Sequence, residues 1–249
     1  MQAIVLAGGL GTRLRSVVPD LPKPMAAVAG RPFLAWILDR LVQAGFDGVV
    51  LAVGYRHEAI RAHFGNAYRG LTLSYSVESS PMGTGGAIRM AAGLVAQYPV
   101  FVLNGDTFLD LDHRAMLADH SGQAVSMSVA VCEVPDVRRY GALKLANGRI
   151  EAFLEKGPGG PGVINAGTYI CSRELLDLIP ATGASSFERQ LLEPRVGEIR
   201  PAAFLSDGLF IDIGVPEDYA RAQHLFPPGS ARPLPQRRQG RPCSWTGMA

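Results

Sequence analysis

The sequence predicts an α/β protein: a mostly parallel mixed sheet flanked by helices, continued by a smaller β-rich lobe. Three observations carry that prediction. Short apolar runs alternate with helix-period segments through residues 2–104. Apolar runs separated by turn residues replace them after residue 123. The composition, 47% apolar and 18% charged over 249 residues, supports a well-buried core and excludes a disordered or fibrous chain.

Gln2 to Leu6 is a short apolar run ending in glycines, the pattern of a buried parallel strand. Leu34, Ile37, Leu38 and Leu41 fall at i, i+3, i+4 and i+7, which draws one helical stripe, and Gly45 closes it. Val49 to Val53 is a second strand stopped by Gly54; His57 to Phe64 predicts a short helix and Leu71 to Val77 a third strand. A glycine-rich turn leads into a helix from Gly83 to about Val95. The fourth strand, Val100 to Leu103, ends in Asn104-Gly105-Asp106. Strand, helix, strand at this rhythm means βαβ units, hence a Rossmann-like sheet with helices on both faces.

The second half reads differently. Ala124 to Val134, Ala142 to Leu145, Arg149 to Leu154 and Ile164 to Cys171 predict strands, with Asn147-Gly148 as a hairpin turn. Helices near 173–179 and 186–192, strands near 202–205 and 210–213, and a closing helix from Pro216 complete the pattern. Pro216 suits a first helical turn, and Glu217 and Asp218 beside it face the positive end of the helix dipole.

The formal charge of +2 divides unevenly. Residues 227–249 hold four arginines (Arg232, Arg237, Arg238, Arg241) and no acid, which leaves 20 basic against 22 acidic groups, a balance of −2, on the rest. A slightly acidic folded part is a poor binder of a polyphosphate backbone, so no nucleic-acid partner is expected. The Pro- and Arg-rich 227–249 segment cannot bury a core and is expected to be a flexible tail. No apolar run reaches the ~18–20 residues that cross a bilayer. Met1-Gln2-Ala3-Ile4 enters a strand pattern with no basic lead, so a cytoplasmic location with no membrane partner is expected. Cys132, Cys171 and Cys243 are odd in number and lack C-x-x-C spacing, which points to free thiols rather than disulfides or zinc.

The strongest chemical signal follows the first strand: Leu6-Ala7-Gly8-Gly9-Leu10-Gly11-Thr12-Arg13-Leu14. Glycines let a backbone turn sharply and bring N–H groups to phosphate oxygens, and Arg13 adds a charged fork that suits phosphate. A P-loop would need Gly-Lys-Ser/Thr, which Gly11-Thr12-Arg13 is not. A dinucleotide fingerprint would need a glycine where Leu14 stands and an acid closing the second strand, which ends in Val53-Gly54.

Next comes Leu21-Pro22-Lys23-Pro24-Met25, where two prolines stiffen the backbone around a point charge. Glu78 with Pro81-Met82-Gly83-Thr84-Gly85-Gly86 makes a second backbone cradle at the carboxyl edge of the sheet. Asp106 sits at the end of an apolar strand and Asp212 sits in like context within Phe210-Ile211-Asp212-Ile213-Gly214. Carboxylates there need a partner, and a hard cation such as Mg²⁺, which takes one or two carboxylates plus substrate phosphates, is the natural one. Glu155-Lys156 and Asn165-Ala166-Gly167 stand between them.

Among lesser candidates, His57 and His63 do not share a helical face, and His113 and His120 could but are expected to be solvated. Phe33 and Trp36 are expected in the core. Arg138-Arg139 before Tyr140 could reach a ligand phosphate, with a solvated turn the plainer expectation.

In order, G-G-x-G-T-R-L, P-K-P-M, N-G-D, E-K, N-A-G and D-I-G-x-P resemble the nucleotidyltransferases that make nucleotide sugars from a nucleoside triphosphate and a sugar 1-phosphate. The resemblance spans roughly residues 1–226. Within that family, the stretch from Leu10 to Met25 looks most like the D-glycero-α-D-manno-heptose 1-phosphate guanylyltransferases. The resemblance implies a nucleotide-binding half over about 1–122 and a sugar-binding half over 123–226. It assigns Leu6, Ala7, Gly8, Gly9, Gly11, Thr12 and Arg13 to the triphosphate, Lys23 to its α-phosphate, and Glu78, Gly83 and Thr84 to the base side. Asp106 and Asp212 would hold Mg²⁺. Asn104, Tyr140, Gly141, Glu155, Asn165 and Gly167 would line the sugar pocket, with Lys156 at the sugar phosphate. Catalysis would fall to Arg13, Lys23, Asp106, Lys156 and Asp212.

The implied reaction transfers GMP from GTP to the heptose 1-phosphate, giving GDP-heptose and pyrophosphate for capsule or surface polysaccharide. A carboxylate at Glu78 can accept from both N1–H and the exocyclic amine of guanine, whereas the O4 acceptor of uracil or thymine would oppose it. A solvated or helix-capping Glu78 is the competing reading. Uridylyl-, thymidylyl- and mannose 1-phosphate guanylyltransferases are the alternatives inside the family. A non-catalytic nucleotide-sugar sensor would have lost some of the five catalytic residues, and all five are present. A homo-oligomer is compatible with the sequence.

Overall fold

The computed structural model describes residues 1–9, 14, 21–154 and 159–227. Strand β1 (Gln2–Leu6) opens the chain. A 3₁₀ turn over Lys23–Met25 and the short antiparallel pair β2 (Ala27–Val28) and β3 (Arg31–Pro32) lead into α1 (Phe33–Ala44). There follow β4 (Gly48–Val53), α2 (His57–Phe64), β5 (Ala67–Tyr68), β6 (Leu71–Val77), α3 (Gly83–Ala92) and β7 (Val100–Asn104). The chain continues through β8 (Thr107–Leu109), α4 (His113–Gly122) and β9 (Met127–Val134). Then come β10 (Ala142–Ala146), β11 (Arg149–Leu154), β12 (Gly162–Cys171) and α5 (Arg173–Asp177). A π-helical turn over Phe187–Leu192 runs into α6 (Glu193–Ile199), and β13 (Ala202–Leu205), β14 (Phe210–Asp212) and α7 (Pro216–Leu225) end the described fold.

Ten strands form one sheet in the order β10-β11-β13-β9-β12-β7-β1-β4-β6-β5. Its centre, β7-β1-β4-β6, is parallel, and antiparallel β12 joins that half to the later strands. Alternation along each strand feeds two cores. Ala3, Val5, Val49 and Leu51 pack with α1 and Phe226 on one face; Ile4, Val50, Val100 and Val102 pack with α3 and Phe187 on the other. Phe33 and Trp36 are core residues packed around Phe226, Phe33 edge-on and Trp36 tilted to its ring. In the β10–β11 hairpin, Asn147 (φ 49°) and Gly148 (φ 71°) both take positive φ, as the two-residue turn requires.

Some elements differ from the sequence expectation. Helix α4 has a weak apolar stripe and goes unread; Asp112 caps it by accepting from the Ala115 N–H (2.9 Å). β9 starts at Met127 rather than Ala124, because residues 123–126 turn the chain out of α4, with the Val125 N–H donating to Gln123 O (2.8 Å). Residues expected as one helix near 186–192 form the π-helical turn, with Pro194 tolerated at the start of α6. The solvated expectation for His113 and His120 is corrected: both are buried. His113 packs edge-on against Phe46 and Phe101, and His120 Nδ1 lies 2.8 Å from Ser128 Oγ. Cys132 and Cys171 are buried free thiols, and burial pushes the Cys132 thiol up to about 12; Cys243 lies outside the described residues. Among the described residues, no helix is long and apolar enough to cross a membrane.

Candidate active site

The carboxyl ends of β1, β4 and β6 open into a cleft of about 710 Å³. Leu6, Gly8, Gly9, Glu78, Gly83 and Thr84, all expected on the nucleotide side, line it. Tyr55 and Arg56, from the turn after β4, and His57 and Glu58, from the start of α2, line it too, and none was singled out as a ligand residue from sequence. Ala7 does not: it is buried, and its N–H already donates to the Ala52 carbonyl (2.7 Å).

Gly83 opens α3 with φ +69°, and a Cβ there would stand 2.4 Å from the Ser185 carbonyl oxygen. The 185–187 segment caps this helix end. Ser185 N–H donates to Met82 O (2.8 Å), Gly85 N–H to Ser185 O (2.8 Å), and Phe187 N–H to Thr84 Oγ1 (2.9 Å). Only glycine meets both demands at position 83. Glu78 does cap locally: its Oε2 accepts from the Met82 N–H (3.0 Å), leaving Oε1 for the cleft.

The acid pair is assembled by tertiary structure. Gly105 N–H donates to Leu6 O (2.9 Å), and a Cβ at Gly105 would meet that oxygen at 2.4 Å, so the Asn104-Gly105-Asp106 turn is pressed against the end of β1. β8 then pairs antiparallel with β14, setting Asp212 opposite Thr107, and Ile213 N–H donates to Asp106 O (3.0 Å). Lys23, held on its 3₁₀ turn, lies between the two acids. Its Nζ hydrogen-bonds Asp106 Oδ2 and stands 3.9 Å from Asp212 Oδ1. Burial first, and then the neighbouring Asp106 charge, push the Asp212 carboxyl above its usual range, with Lys23 opposing.

Two mutually repelling carboxylates that already gather an ammonium suit a hard divalent cation. Two protein oxygens would leave its other positions to water and substrate phosphates. Among the described residues no group of three or more ligating side chains occurs. The donor set therefore fits a cation shared with substrate rather than a closed protein cage.

Beyond the acid pair lies a second cavity of about 250 Å³. It brings together Asn104, Tyr140, Gly141, Asn165, Gly167 and Asp212, all expected at the sugar or metal. It also holds Arg139, Glu188 and Glu193. Arg139, expected in a solvated turn, pairs with the buried Asp218 and lies over the Tyr140 ring (5.4 Å), which in turn meets Phe210 edge-on (5.4 Å). Glu188 could not be found from sequence, since it lies within the helix expected near 186–192 and outside every motif. Gly11, Thr12, Arg13, Glu155 and Lys156 lie outside the described residues.

Comparison with known proteins agrees with this geometry. The Nucleotidyl transferase family profile matches residues 2–227. D-glycero-alpha-D-manno-heptose 1-phosphate guanylyltransferase of Aneurinibacillus thermoaerophilus is 42% identical over 223 residues, 90% of this chain and 97% of that protein. The protein of the same name from Campylobacter jejuni is 38% identical over 88% of this chain and 97% of its own length. HddC from Yersinia pseudotuberculosis, in one crystal structure and in another complexed with GMP-PN, superposes with TM-scores of 0.80 and 0.79 at 35% identity. Both alignments cover 91% of this chain and 99% of the HddC chain. With the profile spanning nearly every described residue and the motifs gathered around two adjoining cavities, this chain belongs to the Nucleotidyl transferase family of enzymes.

Proposed function

We propose that the chain transfers GMP from GTP to D-glycero-α-D-manno-heptose 1-phosphate, yielding GDP-heptose and pyrophosphate for surface polysaccharide synthesis. One observation carries the proposal: Lys23, Asp106 and Asp212 meet beside Leu6 and Asn104, strand partners that line the large and the small cavity respectively. Leu6, which anchors Gly105, lines the large cleft, and Asp212 lines the small one. The choice of GTP and heptose is supported by the 42% and 38% identity to heptose 1-phosphate guanylyltransferases and by the GMP-PN complex of HddC.

The nucleophile is a sugar-phosphate oxygen, largely ionised near neutral pH, so no general base is needed. The difficulty is bringing one anion onto another for in-line attack at the α-phosphorus, with pyrophosphate leaving on the far side. Asp106 and Asp212 would hold Mg²⁺, which supplies charge neutralisation and alignment of phosphate oxygens when bound. The Lys23 ammonium adds a second positive centre, and by the sequence resemblance Arg13 serves the triphosphate and Lys156 the sugar phosphate. Glu78, with Oε2 fixed by Met82, offers Oε1 to the N–H donors of guanine. Residues 1–122 and 123–226 would supply most of the nucleotide and sugar halves of the site respectively, with Asn104 reaching the sugar side.

The test is pyrophosphate release across ATP, CTP, GTP and UTP paired with heptose, mannose and glucose 1-phosphates in Mg²⁺. The expected result is the highest kcat/KM for GTP with heptose 1-phosphate. A higher value with mannose 1-phosphate would replace the sugar. Binding of a nucleotide sugar without pyrophosphate release from any pair would make the chain a sensor.

A further inference from the structure

Hydrogen-bond accounting in the small cavity reverses the role that the Asn165-Ala166-Gly167 motif suggests. Asn165 Oδ1 accepts from the Gly167 N–H (3.0 Å). Its Nδ2 donates to Tyr169 Oη (2.7 Å) and to Glu188 Oε1 (2.8 Å). The Tyr169 hydroxyl in turn donates to Glu188 Oε1 (2.7 Å). The orientation of the amide is settled by chemistry: a backbone N–H can only donate and a carboxylate can only accept. Both amide protons and the phenolic proton are therefore spent inside the protein. Asn165 has no donor left for a ligand.

Glu188 has the opposite balance. Oε1 receives both internal donors, while Oε2 is given no donor by this network and belongs to a residue that lines the cavity. Tyr169 is buried, at 2% exposure, so the carboxylate is clamped by groups that cannot swing away. A second carboxylate, Glu193, lines the same cavity from the start of α6. Carboxylates repel the phosphate of a sugar 1-phosphate, but accept strong hydrogen bonds from its hydroxyls. A pre-oriented acceptor of this kind separates a hydroxylated sugar from its deoxy analogue.

We infer, given the transfer reaction proposed above, that Glu188 is the residue that grips the sugar hydroxyls and sets sugar specificity. Asn165 and Tyr169 are positioning residues that aim its free oxygen.

The test uses the full-length enzyme with GTP, Mg²⁺ and mannose 1-phosphate or its 2-, 3-, 4- and 6-deoxy forms, beside heptose 1-phosphate. Wild type is expected to lose about 10-fold or more in kcat/KM for at least one deoxy form. In Glu188→Gln the loss for that form should shrink to within about twofold, because the acceptor it relied on is gone. The variant's KM for the intact sugar phosphate should rise about 10-fold, with KM for GTP within twofold of wild type. Tyr169→Phe, which removes one hydroxyl, should raise the sugar KM about threefold and spare GTP. An unchanged deoxy penalty in Glu188→Gln overturns the assignment, as does an equal rise in both KM values in Tyr169→Phe. A wild type that turns over no sugar 1-phosphate instead refutes the transfer reaction itself.

Discussion

Asp106→Asn tests the acid pair most directly, because the structure separates its effect on chemistry from its effect on folding. The substitution keeps the shape of the side chain and removes one charge from a three-charge cluster. Two stability contributions then oppose each other. The Lys23–Asp106 pair is weakened, while the repulsion that raises Asp212 is relieved and Lys23 keeps Asp212 at 3.9 Å. Gross attraction at such a separation is about 4 kcal/mol at an effective dielectric of 20. With the Asp106 side chain 36% exposed, solvent screening and the opposing contribution should leave a net change within about 1 kcal/mol. Loss of a metal-holding carboxylate, by contrast, should raise the barrier by about 3 kcal/mol, roughly a 100-fold fall in kcat. The assay is pyrophosphate release at saturating GTP and sugar phosphate over a Mg²⁺ titration, with thermal melts run alongside. A kcat within threefold of wild type, with an unchanged Mg²⁺ activation constant, would refute the metal role.

Gly83→Ala should destabilise the protein by about 2–5 kcal/mol, from the left-handed backbone and the clash with Ser185, and lower Tm by roughly 5–15 °C; a shift under 2 °C would show that the 185–187 segment yields freely. Asp110→Asn strips the buried Arg40 of its carboxylate and should cost about 3 kcal/mol in a urea titration. The double variant Arg40→Met/Asp110→Leu should cost less than that single change, and the reverse order would contradict the desolvation argument. Burial holds His113 down at about 4 in the folded state, against about 6.5 unfolded. Below pH 6.5 the unfolded chain takes up the proton first, so this stability is complete above pH 6.5 and is lost, up to about 3 kcal/mol, as pH falls towards 4. His113→Leu should flatten the urea midpoint between pH 6.5 and 5, and an unchanged slope would place the titration elsewhere. Lys156→Ala should raise KM for the sugar phosphate more than KM for GTP; equal rises measured by initial rates would reassign that lysine.

Much of the site was legible because its chemistry is local. Glycines between a strand and a helix, a lysine between prolines and an acid closing an apolar strand each announce themselves within a few residues. Glu188 carried no such mark, since a glutamate within a predicted helix stands out from no motif and its value depends on Asn165 and Tyr169, which reach it from β12. Arg139 stands exposed on its turn, as expected, but its ion pair was not legible for a related reason. A turn arginine is usually solvated, and only α7 brings the buried Asp218 that draws it to the cavity wall. His113 and His120 were placed in water because neighbouring residues offered little apolar pattern, yet α4 packs both inward.

From the order of residues alone came the α/β class, the extents of most strands and the two glycine cradles, because periodicity and backbone chemistry act over a handful of positions. The chemical kind of reaction came from the resemblance of the ordered motifs to the nucleotidyltransferases. Tertiary structure decided which groups meet. Asp212 stands beside Asp106 because β14 pairs with β8 in one register. A slip of one residue would turn that carboxylate to the opposite face. It also decided which polar groups remain available to a ligand, since the protons of Asn165 and Tyr169 are consumed by partners distant in the chain. Pairing across such distances is set by the packing of a whole sheet, which no short window of sequence contains.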